Sequence, residues 1–161
     1  MDFSERLEKA IRRGQHARDE QDRAAQKKTL SEEDARNRHS AARLNLSEYV
    51  EDCLRKLCEH FPGFRFETIV NEKGWGAKIN RDDLKLGGGR RENQYSRLEV
   101  LVSPFDTETK IVAVNAKGTV HNKELVNRSH FQYIAEFDED GFRESIDLWI
   151  LEFAEKYAAR I

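Results

Sequence analysis

Large apolar residues are sparse at the start of this chain and dense after Leu44, and their spacing changes along the way. Phe3, Leu7, Ala10 or Ile11, Gly14, Ala17 and Ala24 recur every three or four positions. That period is a helix carrying one narrow stripe of mostly small residues. Glu5–Lys9, Glu8–Arg12 and Asp19–Arg23 are i,i+4 pairs in the favourable order. Each is worth about 0.2–0.5 kcal/mol, too little to hold a helix that lacks a partner surface. "TLSEEDAR" (29–36) reads as a fresh helix start, with Ser31 as N-cap, Asp34 near the third turn position and an acidic first turn. Asn45 and Glu48 offer a second start at capping-box spacing, with Leu44 and Tyr49 as its staple. No Pro or Gly interrupts either site, so one unbroken helix is the alternative. From Leu46 the stripe strengthens through Val50, Cys53, Leu57 and Phe61, and Pro62-Gly63 stops it.

The pattern then turns strand-like. "FRFETIVN" (64–71) alternates, with Phe64, Phe66, Thr68 and Val70 on one face. "WGAKIN" (75–80) follows a Lys73-Gly74 turn and completes a hairpin. "YSRLEVLVS" (95–103) places Leu98, Val100 and Val102 together and ends at Pro104. "TKIVAVNA" (109–116) has the apolar centre of an interior strand. "SHFQYIAEF" (129–137) alternates Phe131, Tyr133, Ala135 and Phe137 against His130, Gln132 and Glu136, which predicts His130 on the outer sheet face. The last segment starts acidic and carries a wide stripe, Phe142, Ile146, Trp149, Ile150, Phe153 and Tyr157, suited to covering a sheet. Short connections favour an antiparallel meander. The expected fold is α+β: charged N-terminal helices, an antiparallel meander sheet of four to five strands, and a C-terminal helix packed on one sheet face. Residues 1–43 form a charged helical arm in this reading, and residues 44–161 the globular domain.

Composition adds a constraint. The 161 residues are the length of one domain, but 36% charged against 38% hydrophobic residues puts many charges on solvated helix faces. A net charge of −2 excludes a polyelectrolyte binder. The charge is uneven, however: +2 over residues 1–43, −3 over 44–72, +4 over 73–97 and −5 over 98–161. Two cysteines exclude a disulfide framework. Cys53 and Cys58 lie about 140° apart around a helix. With only His60 nearby they do not complete a tetrahedral metal site, so reduced buried thiols are expected. No apolar run resembles a signal peptide or approaches the length of a membrane span, which gives a soluble, cytoplasmic protein as the expectation.

Candidate chemistry concentrates in "NEKGWGAKINRDDLKLGGGRR" (71–91), which holds five of the nine glycines. Trp75, Lys78 and Arg81 would stack and hold a base in a basic groove. Arg90 and Arg91, beside backbone N–H groups of the glycine run, would hold an anion. No Gly-Lys-Ser/Thr follows and no helix begins there, so this is not a P-loop. The competing reading is a hairpin tip carrying ordinary surface charge, with Trp75 in the core and "GGGRRENQ" as the remaining free loop. Asp106 after one strand and "NAK" (115–117) ending the next give the outline of a metal-dependent nuclease hairpin, but Asn115 stands where a second acid is needed. No nucleophile–base pair, cofactor motif or metal-ligand set emerges, so no catalytic residue, metal or cofactor is assigned. The expected function is a non-catalytic binding or assembly module acting through protein–protein contacts, with a homo-oligomer or a protein partner engaged by the N-terminal helices. The alternative is a nucleic-acid or phosphate-ligand binder using the basic 73–97 segment, and a metal-dependent nuclease is the third reading.

Overall fold

The first helix passes without interruption through both internal capping sites. The computed structural model describes residues 2–87 and 89–161, with side chains described for all of these except residues 23–31, 85 and 90. Helix α1 spans Phe3–His60. Asp2 caps its start by accepting the Ser4 N–H at 2.8 Å. Its end is closed by the Phe61 N–H donating to the Leu57 carbonyl at 3.0 Å, just before Pro62. The expected Ser31 cap lies outside the described side chains. At the second site the helix wins because one apolar face runs through it: Ala35, Ala42, Leu46, Val50, Leu54 and Leu57 are all buried. A cap at Asn45 would turn Leu46 and Val50 off that face. Ser47, inside the helix, instead donates back to the Leu44 carbonyl at 3.0 Å.

Strands β1 (Arg65–Asn71), β2 (Gly74–Gly87), β3 (Arg90–Val102), β4 (Ile111–Val120) and β5 (Lys123–Tyr133) follow, then a short 3₁₀ turn and helix α2 (Glu139–Ala158). Among the described residues they form one antiparallel five-stranded meander in sequence order. The second half of α1 and all of α2 cover the same sheet face. Leu46, Val50 and Leu54 of α1 and Phe142, Ile146, Phe153 and Tyr157 of α2 meet Ile79, Leu98, Val100, Val114 and Ala116 in one core. Gly118 is needed for that approach. A Cβ there would stand 2.8 Å from the Phe153 ring and 3.0 Å from Val126.

Several details differ from the sequence expectation. The composition changes at residue 43, but among the described side chains α1 is first buried about two turns earlier, at Ala35. Strand β3 begins at Arg90 rather than Tyr95, and β2 continues to Gly87. The expected free loop "GGGRRENQ" is therefore largely strand. β1 stops pairing at Asn80 and β4 stops at Arg97, so residues 81–87 and 89–96 project as a two-stranded ribbon. Ser96 at its base is buried, but the large apolar side chains Leu84, Leu86 and Tyr95 are exposed, so no buried apolar alternation announced it. The β4–β5 hairpin turns at His121 and Asn122, both at positive φ. Asn122 also anchors this turn to β3, accepting from the Tyr95 N–H at 3.0 Å and donating to the Asn93 carbonyl at 2.9 Å.

Strand β5 has the opposite phase from that expected. Phe131 and Tyr133 are exposed on the open sheet face. His130 faces the helices, edge-on to Phe142 at 4.9 Å, and Arg128 donates to Glu152 of α2 at 2.9 Å. An edge strand can line its inner face with long polar side chains whose ends reach an adjacent helix. Here that fixes the phase against simple hydrophobic alternation.

His39 is almost fully enclosed, at 1% exposure, with Nε2 lacking a hydrogen-bond partner among the described residues. It packs edge-on against Phe105 at 5.4 Å. Burial pushes its pKa below the ordinary value; a backbone hydrogen bond at Ser103 opposes this and Arg43 reinforces it. The unfolded chain therefore binds a proton at higher pH than the folded one, and stability falls as pH drops below about 6.5 toward the folded pKa. The expected outcome is that denaturant midpoints measured at pH 7.5 and pH 5.5 differ less in His39→Gln than in the wild type; an unchanged difference would show that His39 does not drive this loss. Gly118→Val, which overfills the α2 contact, is expected to cost about 1–3 kcal/mol in the same assay.

Candidate assembly surface

The N-terminal part of α1 leaves the globular body as a solitary helix. Residues 2–22 and 32–34 are exposed, and among the described side chains the first buried one is Ala35. Residues 3–34 make a rod about 48 Å long. Phe3, Leu7 and Ile11 follow one another at four-residue spacing along it, 76%, 48% and 52% exposed. Ala10, Gly14 and Ala17 continue the stripe and are also exposed, while Ala24 lies outside the described side chains. The charges on the other faces engage each other locally: His16 and Glu20 approach to 3.2 Å and Asp34 and Arg38 to 2.9 Å. Such pairs support helicity without covering the stripe.

The residues singled out in the basic segment are divided by the pleat of β2. Trp75 and Arg81 lie on the helix-facing side and Lys78 on the open side. The Trp75 ring is half-buried beneath Arg43, whose guanidinium carbon is 3.3 Å from the ring centroid. Arg81 donates to the Pro62 carbonyl at 2.7 Å and to Asp83 at 2.9 Å, pinning the α1–β1 corner. Lys78 pairs with Glu67 at 3.3 Å. Arg91 is exposed on the ribbon opposite Leu86. The Arg90 side chain lies outside the described residues. Trp75, Lys78 and Arg91 therefore do not line one groove.

The open sheet face carries a pattern that only the strand register reveals. Glu67, Lys78, Glu99 and Lys117 stand side by side across four strands, alternating in sign. Arg97 pairs with Glu99 in the neighbouring row. A shallow concavity of about 580 Å³ crosses this face, with Tyr95, Arg97, Asn115 and Lys117 in its lining. Asn115 donates to Ser103 Oγ and accepts from Ser129 Oγ, both at 2.9 Å. Asp106 stays in its own turn, accepting the Glu108 N–H at 2.9 Å. Among the described residues no group of three or more His, Cys, Asp or Glu side chains is placed to hold a metal ion. Within the same residues, no helix is long and apolar enough to cross a membrane.

A second polar cluster joins the helices. The Tyr49 hydroxyl donates to Asp147, and Arg143 lies over the Tyr49 ring at 4.7 Å. Cys53 Sγ is 4.0 Å from the same carboxylate. Burial, with the neighbouring Asp147, raises the pKa of the Tyr49 phenol. Burial raises the Cys53 thiol, with Asp147 adding to it and Tyr49 opposing. Burial also raises Cys58. These groups are held protonated, the reverse of an activated nucleophile. Folded protein at pH 7 is expected to react with a maleimide at Cys53 and Cys58 at least about tenfold more slowly than denatured protein; equal rates would contradict this arrangement. Arg43→Ala is expected to change Trp75 fluorescence and cost about 0.5–2 kcal/mol of stability, as loss of a cation–π contact should. No family model, curated protein or solved structure matches this chain.

Proposed function

We propose that the protein is a non-catalytic assembly module that self-associates through the N-terminal part of α1. The observation that carries this reading is the aligned exposure of Phe3, Leu7 and Ile11 on a helix that leaves its own core at Ala35. Isolated helices are only marginally stable in water, and local ion pairs add tenths of a kcal/mol. Covering a Leu, Ile or Phe side chain contributes about 1.5–3 kcal/mol when burial is complete. A partner thus supplies the arm with the apolar contact that the globular half does not give it. Among the described residues, that half closes its core with α1 residues from Ala35 onward. The basic 73–97 segment lends a nucleic-acid reading less support, because Trp75 and Arg81 face the helices while Lys78 is paired on the opposite side.

Light scattering on the full chain is expected to give an oligomer that Leu7→Glu/Ile11→Glu converts to monomer. The thermal transition of the globular core should stay in place. A wild-type chain that remains monomeric up to several hundred micromolar would remove the proposal.

A further inference from the structure

We infer that the arm binds a second copy of this chain in antiparallel orientation, with the two Ile11 side chains meeting across the dyad. This rests on the arm being the assembly element. The first argument is charge. Residues 3–13 carry net +2 and residues 14–22 net −2. All of these side chains are exposed. Parallel, in-register arms would set basic half on basic half and acidic on acidic. Antiparallel arms set each basic half on the other's acidic half.

The second argument is the seam. Phe3, Ala10 and Ala17 recur every seven residues, and so do Leu7, Gly14 and Gln21. These two sets are the inward positions of a two-helix seam. In an antiparallel pair each member of one set layers against a member of the other. One register sets Leu7 against Ala17 and Ala10 against Gly14, large side chains over small ones and small over small in the middle. Phe3 then covers Gln21 at each end. Ile11, 52% exposed in the single copy, falls on the flank nearest the dyad and meets its equivalent. On the other flank Arg6 of one copy meets Glu20 of the other, twice per dimer. The two Arg13 side chains, the unfavourable element, meet once at the centre.

This register also keeps the globular bodies apart. The two Ala35 positions lie 46 residues apart along the shared axis, about 70 Å. The assembly is a rod with one five-stranded domain at each end and the two open sheet faces free.

Two measurements on the full chain test this. In sedimentation equilibrium at low salt, Arg6→Glu and Glu20→Arg are each expected to weaken association about tenfold, and the double variant to restore most of it. In Phe3→Cys/Gln21→Cys, positions 3 and 21 of one helix are about 27 Å apart and do not bridge within a chain. Oxidation followed by mass-spectrometric mapping should therefore give a disulfide between residue 3 of one copy and residue 21 of the other. Disulfides joining 3 to 3 and 21 to 21, with no charge-swap rescue, would overturn the antiparallel arrangement and leave self-assembly through the arm intact. A chain that stays monomeric would overturn both.

Discussion

One helix face joins the two parts of this protein. The row Ala35, Ala42, Leu46, Val50 and Leu54 lies on the sheet and is buried along its length. The strands it covers need that contact, because an antiparallel sheet with neither face covered buries too little apolar surface to hold its register. The same row fixes the direction in which the arm leaves the body. The helix has no Pro, and its one glycine before the C-terminal stop, Gly14, lies within the arm, so the arm inherits the axis set by Leu46, Val50 and Leu54.

The remaining structure adjusts to that packing. α2 crosses where Gly118 leaves room for Phe153. His39 is enclosed because α1 presses it against Phe105, and Arg43 lies flat on Trp75 for the same reason. Polar side chains between helices and sheet are thereby turned to positioning: Arg81 ties the corner after α1, Arg128 ties β5 to α2, and Tyr49 ties α1 to Asp147. The open face, free of helices, carries charges of alternating sign across the strands. The exposed part of the arm lies outside all of this.

Elements with strong periodicity were legible from sequence, and those without it were not. The stripe from Phe142 to Tyr157 marked α2, and Leu98, Val100 and Val102 marked the core half of β3, because burial on one face leaves a repeating signal. The ribbon of 81–87 and 89–96 left none, because its large apolar side chains Leu84, Leu86 and Tyr95 are exposed. Phe131 and Tyr133 misled, since an edge strand can expose aromatics and turn Arg128 and His130 inward. The arm's stripe was readable from Phe3, Leu7 and Ile11, whereas the grouping of Trp75 with Lys78 rested on proximity along the chain and ignored the pleat.

By itself the sequence determined the α+β class, an antiparallel sheet with the C-terminal helix on one face, the faces of the two helices in the core and the charged character of the N-terminal segment. Each of these follows from local periodicity and short connections, which act within a few residues. The tertiary structure decided that α1 is one helix from Phe3 to His60, that it first packs at Ala35, that β5 takes the opposite phase, and that Glu67, Lys78, Glu99 and Lys117 share a row. Those outcomes depend on contacts between residues far apart in the chain, where packing against a neighbouring element outweighs a local cap worth about 1 kcal/mol.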